Sequence, residues 1–328
     1  EAVNAILFQG LLERGEYRYD PDEYHGPVLH YATLPFAALS GAEGGDELTE
    51  RTLRRVTVTA GVALVLLVWL LRDALGATAA GTAAVLLAVS PAMVFYSRYF
   101  IHEMLLVCFT LLLLGAAWRY TRSRGAGWAA LAGVALGLMY ATKETFVITV
   151  AAMAVAAVST GAWSRWREGP APEPGQPWNR WHLGLAVLVA ALVSASLFTS
   201  FLSHPRGPLD SLLTYLPWLR RAGGDSPHMH PWTFYFERLF GYRVPRGPFW
   251  SEGFIGLLAL VGMGAALTGR GLGRGSVGFA RFLTFHAIAI TAAYTLIPYK
   301  TPWCLLNFLL PLALLAGMGA AVILLRAR

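Results

Sequence analysis

Only two lysines stand among the 26 basic residues of this 328-residue chain, Lys143 and Lys300. Wherever a positive charge alone suffices the chain uses arginine, so a compact ammonium matters at these two places. Both fall at the ends of apolar stretches. So do Arg98, His102 and Glu103 in the turn SRYFIHEM, and Glu144 beside Lys143. Ionisable groups this close to hydrocarbon are costly unless they pair or face a wet cavity, which makes them site candidates by default. The alternative for each is snorkelling or capping at a helix end. Cations held there would stabilise charge developing on phosphate oxygens, and a carboxylate would take the proton of an incoming hydroxyl. Arg98, Lys143 and Lys300 suit the first task, with His25 as an auxiliary donor; Glu103 suits the second, with Glu1 next in line.

Of eight histidines, His25, His30, His102, His204, His228 and His230 share the side of the chain that carries these groups. His228 and His230 are two apart, as a metal pair in an extended segment would be. No Cys or His partner stands at a recognised spacing, so neither a cofactor nor a divalent metal is expected. His25 and His102 read better as hydrogen-bond donors to a phosphate or sugar. His286 lies inside an apolar stretch and reads as a bundle histidine, and Cys108 and Cys304 as small hydrophobes.

The elements that must position these residues are apolar throughout. Hydrophobic residues make up 56% of the chain and charged residues 14%, with a mean hydropathy of +0.51. Nine stretches, 52–71, 74–96, 104–118, 126–142, 145–162, 182–202, 253–268, 279–298 and 303–325, approach the roughly 20 residues a helix needs to cross a bilayer. Continuous apolar runs without alternation exclude barrel strands, so the expected fold is all-α and polytopic. One set of loops holds twelve Arg against three acidic residues, a sum of +9, and the other set sums to −2, together the +7 of the chain. The basic side is therefore expected to be cytoplasmic, with residue 1 outside and residue 328 inside a cytoplasmic membrane. The high pI is a topology signal, and nucleic acid is not an expected partner.

Residues 1–51 form the first outer loop. Val3, Ile6, Leu7 and Leu11 fall on one helical face that stops at Gly15, and VLHYATLPFAALSGA is too short for a confident span, so two interfacial helices are expected. Residues 52–162 hold spans joined by short outer turns. Residues 163–181, with four prolines, read as a flexible cytoplasmic connector, and 182–328 hold the remaining spans with a long aromatic outer loop at 203–252. Those rings suit an aromatic belt and an amphiphile or sugar site equally.

The segments EAVNA (1–5), HGPVLHY (25–31), SRYFIHE (97–103), ATKE (141–144), HPW (230–232) and YKTPW (299–303), taken in order, give the chain a family likeness. It resembles the GT-C type membrane glycosyltransferases that use polyprenyl-phosphate sugars, the protein O-mannosyltransferase and aminoarabinose transferase relatives, nearest to the flippase-activity-associated branch. The resemblance covers essentially the whole chain. It implies a GT-C bundle of about nine transmembrane helices, with one more span and a catalytic Asp expected immediately before Glu1, which itself matches the Glu of that family's Asp-Glu pair. It places the family's second acidic position at Glu103 and its neighbouring Arg at Arg98. Substrate contacts are expected at His102, His230, Trp232 and Trp303. The implied partners are membrane lipid and a lipid-linked sugar donor, with membrane proteins as further partners. A non-catalytic lipid-linked-sugar binder, or an accessory subunit that kept the fold, would use the same cations without a base.

Overall fold

The computed structural model describes residues 1–328 apart from 16, 23, 24, 170–177, 224–227, 244, 246, 248, 274 and 328. Two short helices come first, α1 (Ala2–Arg14) and α2 (Val28–Ser40). Then α3 (Glu50–Leu67) runs through a 3-10 turn (Val68–Leu71) into α4 (Arg72–Leu75), followed by α5 (Ala77–Val89), α6 (Pro91–Ser97), α7 (Glu103–Ser123), α8 (Ala126–Tyr140), α9 (Phe146–Glu168) and α10 (Arg180–Phe198). The long aromatic loop folds as α11 (Gly207–Leu213), α12 (Tyr215–Gly223), α13 (Phe234–Phe240) and a small antiparallel hairpin, β1 (Tyr242–Arg243) with β2 (Phe249–Trp250). The chain closes with α14 (Gly253–Thr268), α15 (Val277–Leu296) and, after a 3-10 turn (Pro302–Leu305), α16 (Leu306–Arg326).

Each of the nine apolar stretches coincides with helix, and the chain is an all-α membrane protein. Among the described residues six helices are long and apolar enough to cross a membrane alone: Glu50–Leu75, Glu103–Ser123, Phe146–Glu168, Arg180–Phe198, Val277–Leu296 and Pro302–Arg326. The stretch at 74–96 departs from the expected single span. It is the pair α5 and α6, bent by 60°. The cause is local: Pro91 cannot donate to the preceding turn, while the Ser90 hydroxyl accepts from Met93 N (3.2 Å) and starts a new helix. The buried Glu252 carboxylate completes the break, accepting from Ser90 Oγ and Ala92 N at 2.8 Å each. The remaining two, α8 (15 residues) and α14 (16 residues), are apolar but shorter than a full crossing.

Helix α16 runs through the middle of the bundle, with contacts to α5, α7, α14 and α15. It is buried on nearly every side, through Leu306, Phe308, Leu310, Leu314 and Met318 among others. Its crossing with α14 is backbone-close: a Cβ on Gly319 would meet the Leu258 carbonyl, and one on Gly262 the Leu315 carbonyl. Small residues at such crossings let helices meet by van der Waals contact, the main attraction between helices in lipid.

The first helix ends as expected at Gly15, whose left-handed φ of 75° lets its N–H bond the Leu11 carbonyl. Its faces divide in two. Phe8 and Leu11 are buried, while Val3 and Ile6 are 64% and 68% exposed, because α1 leans on α2 through the Phe8 side. The connector expected at 163–181 is shortened from both ends, since α9 continues to Glu168 and α10 starts at Arg180; its proline run lies outside the described residues.

Candidate active site

The turn between α8 and α9 is the site's foundation. Thr142 Oγ1 bonds the Leu138 carbonyl (2.6 Å), Lys143 N bonds Met139 O (3.3 Å) and Phe146 N bonds Lys143 O (3.1 Å), so Lys143 and Glu144 are held in a tight, buried corner. The segment ahead of α2 docks onto this corner through Val28 N to Ala141 O (3.1 Å). Gly26 permits the approach: a Cβ there would occupy the place of the Ala141 carbonyl. His25 is thereby set against Glu144, its Nδ1 3.0 Å from the carboxylate, and stacks on Trp218 with centroids 5.2 Å apart. Gly26→Ala is expected to push this segment off the corner and cost about 1–3 kcal/mol, as overpacking does. The check is a lower melting temperature in detergent, together with weaker binding of any ligand that needs His25.

Glu103 is the first residue of α7, where the positive end of the helix favours a carboxylate. It is 1% exposed and forms an ion pair with the Lys143 ammonium, and Cys304 Sγ lies 3.6 Å from its Oε1. Burial alone would lower the Lys143 pKa, but the Glu103 carboxylate outweighs it and holds the pKa above the ordinary lysine value. Burial pulls the Glu144 carboxyl up, and its His25 and Lys143 neighbours bring it below the usual carboxylate range.

Two cavities meet at this pair. One, of about 270 Å³, is lined by Lys143, Glu144, His25, Trp218, Tyr299 and Trp303, with further aromatic and aliphatic walls from α9, α12 and α15. The other, of about 180 Å³, is lined by Glu1, Asn4, Leu7, His102, Glu103 and Ile101, and it shares His25 and Trp303 with the first. Lys143 thus borders one cavity and Glu103 the other.

Glu1 is tied down as well. Arg54 donates to it twice (2.9 and 2.8 Å) and Phe100 N once (2.7 Å). Burial raises its pKa less than these three bonds lower it, so it stays ionised. His102 Nε2 lies 3.2 Å from the Gly26 carbonyl, and the ring meets His25 and His30 edge-on at 5.1 and 5.8 Å. Burial, aided by the histidine neighbours, keeps the His102 pKa well below its ordinary value and pushes His30 to about 3. Unfolded, both would bind a proton near pH 6.5, so the unfolded state holds more protons below that pH and stability falls with acidification. The expected slope is about 1.4 kcal/mol per pH unit for each histidine. Thermal melting at pH 7.5 and 5.5 should therefore show a lower midpoint at the acidic pH.

The remaining expected residues are dispersed. Lys300 is 1% exposed; its ammonium caps the Ile297 carbonyl near the end of α15, its backbone N bonds His228 O (2.8 Å), and it lines neither cavity. Burial lowers its pKa. His230 stacks on Phe234 at 4.1 Å. Trp232 is 65% exposed and lines an apolar groove with Phe236, Leu257 and Ile288. Arg98 is exposed and lines a separate cavity with Arg51, Arg54 and Arg55. Three contributors had no distinct signal in the sequence. Arg54 acts through Glu1, Cys304 through Glu103, and Trp218 through His25, each across a long sequence separation.

The profile of the dolichyl-phosphate-mannose-protein mannosyltransferase family matches residues 24–197, more than half of the chain. The chain belongs to this family. The matched residues carry His25, Arg98, His102, Glu103 and Lys143. ArnT from Cupriavidus metallidurans bound to undecaprenyl phosphate aligns with a TM-score of 0.68 at 18% identity, over 96% of this chain and 54% of that one. The Archaeoglobus fulgidus oligosaccharyltransferase, tethered with an acceptor peptide, aligns with a TM-score of 0.59 at 18% identity, over 99% and 45%. This mannosyltransferase-family chain has the GT-C fold of those enzymes and spans about half their length. No curated protein matches it.

Proposed function

We propose that this chain transfers a sugar from a polyprenyl-phosphate donor to a hydroxyl-bearing acceptor at the extracytoplasmic face of the membrane. The observation that carries the reading is the buried Glu103–Lys143 pair set where two cavities meet. The donor occupies the larger, mostly apolar cavity. His25, oriented by Glu144, and Lys143 meet its phosphate, and the rings of Trp218, Tyr299 and Trp303 cover the sugar and the start of the isoprenoid. The acceptor enters the smaller cavity. Glu103 takes the proton of its hydroxyl as the oxygen bonds to the sugar's anomeric carbon; the bond from that carbon to the phosphate oxygen breaks, and its electron pair leaves with polyprenyl phosphate. Lys143 is paired with Glu103 before the step and offsets charge on the departing phosphate during it. Arg54 and Phe100 hold Glu1 beside Glu103 as a second carboxylate of the acceptor cavity. Lys300 positions the turn that carries Tyr299 and Trp303. The family profile and the undecaprenyl phosphate in the ArnT structure support the donor class.

The test uses sealed proteoliposomes containing the protein in known orientation and a polyprenyl-phosphate-linked radiolabelled sugar. Acceptor supplied on the side of residue 25 should become labelled while polyprenyl phosphate is released. Labelling only from the opposite side, or donor binding with no release, would overturn the reading.

A further inference from the structure

A third cavity, of about 640 Å³ and open to the surface, is lined by Arg51, Arg54, Arg55 and Arg98 above the apolar side chains of Phe36 and Val58. Arg54 is engaged by Glu1 and Glu50. The side chains of Arg51, Arg55 and Arg98 are exposed and hold no ion pair or hydrogen bond among the described residues. The sole acidic residue in this lining, Glu50, is already committed to Arg54. Arg51 and Arg55 stand four apart on one face of α3, where like charges repel. Arg98 comes from the end of α6, an element remote in sequence, and converges on the same space. Thr49, the N-cap of the 18-residue α3, borders the cavity too, so the positive end of that helix adds to the field.

Three unpaired guanidinium forks around one concave space suit an oxyanion accepting paired N–H bonds, and phosphate fits that geometry best. The Phe36 and Val58 floor, on helices α2 and α3, favours an anion borne by an amphiphile. Glu1 connects this place to the transfer site, since its carboxylate is held by Arg54 on one side and lines the Glu103 cavity on the other.

We propose that the arginine cavity binds a phosphate group carried by a membrane-borne amphiphile, and that this amphiphile is the acceptor whose hydroxyl reaches Glu103. The first half stands alone; naming the amphiphile as acceptor rests on the transfer reading. Arg98 accordingly serves the acceptor and not the donor phosphate.

The experiment titrates decyl phosphate, inorganic phosphate and uncharged decyl glucoside into the detergent-purified protein, in the wild type, Arg51→Gln/Arg55→Gln and Arg98→Gln. All three arginines are exposed, and unchanged melting temperatures will show the variants folded. Decyl phosphate is expected to bind at least about tenfold more tightly than either comparator and to lose about tenfold in each variant, because charge-assisted bonds are the strong ones. Its affinity should also fall with added salt. Polyprenyl phosphate binding should be unchanged in both variants. Unchanged decyl phosphate binding in the variants would overturn the proposal, as would equal binding of inorganic phosphate. Loss of polyprenyl phosphate binding would also overturn it, by making this the donor's site. Repeating the titration with Glu103→Gln separates the two readings: failure of transfer leaves this binding intact, and failure of this binding leaves donor release intact.

Discussion

Glu103→Gln is expected to lower sugar transfer by about 10²–10⁴-fold, the usual worth of a positioned general base. Gln has the size of Glu and cannot take a proton, so donor binding in the larger cavity should survive. The substitution also leaves the buried Lys143 ammonium without its anion, and breaking one side of a buried pair costs about 3–5 kcal/mol. A lower melting temperature will therefore accompany the lost activity, and the two effects need separating. The double variant Glu103→Gln/Lys143→Met does so. With the Glu103–Lys143 pair removed as a whole it should melt near the wild type and still fail to transfer. Near-normal transfer by either variant would remove Glu103 from the mechanism.

Lys143→Met should be comparably damaging for the opposite reason. A carboxylate buried without a partner favours its neutral form, and a neutral Glu103 cannot accept the acceptor's proton. Transfer near pH 7 should fall by about two orders of magnitude or more, with partial recovery as pH rises and the carboxylate ionises. Lys143→Arg should not restore the wild-type rate, since a planar guanidinium does not fit a space shaped around a compact ammonium. A rate profile from pH 6 to 9, read beside melting curves, checks both statements. A flat loss at every pH in a stable protein would mean that Lys143 acts only on the donor phosphate.

The pairing at the centre of these predictions was only half legible in the chain. Lys143 and Glu103 each stood out as charges at the ends of apolar stretches, and their 40-residue separation said nothing of contact. His25 was legible as a donor, yet its partner Glu144 lies 119 residues away. Lys300 carried the same signal as Lys143, scarcity plus position, yet its ammonium bonds the Ile297 carbonyl at the end of α15 and pairs with no carboxylate among the described residues. Arg98 stood in the same motif as Glu103 but lines a different cavity, with Arg51 and Arg55.

By itself the chain determined that it is helical and membrane-embedded, roughly where its apolar helices lie, and which of their ends carry ionisable groups. Those properties come from local hydropathy, Gly and Pro positions and the cost of charge near hydrocarbon, all of which act over a few residues. Tertiary structure alone decided which charges meet, that Glu252 caps the break at Ser90, and that the cations divide between separate cavities. Such outcomes depend on contacts between helices far apart in the chain, set by close backbone crossings such as Gly319 on α14 and Gly26 on the α8–α9 turn, and no local pattern encodes the partner.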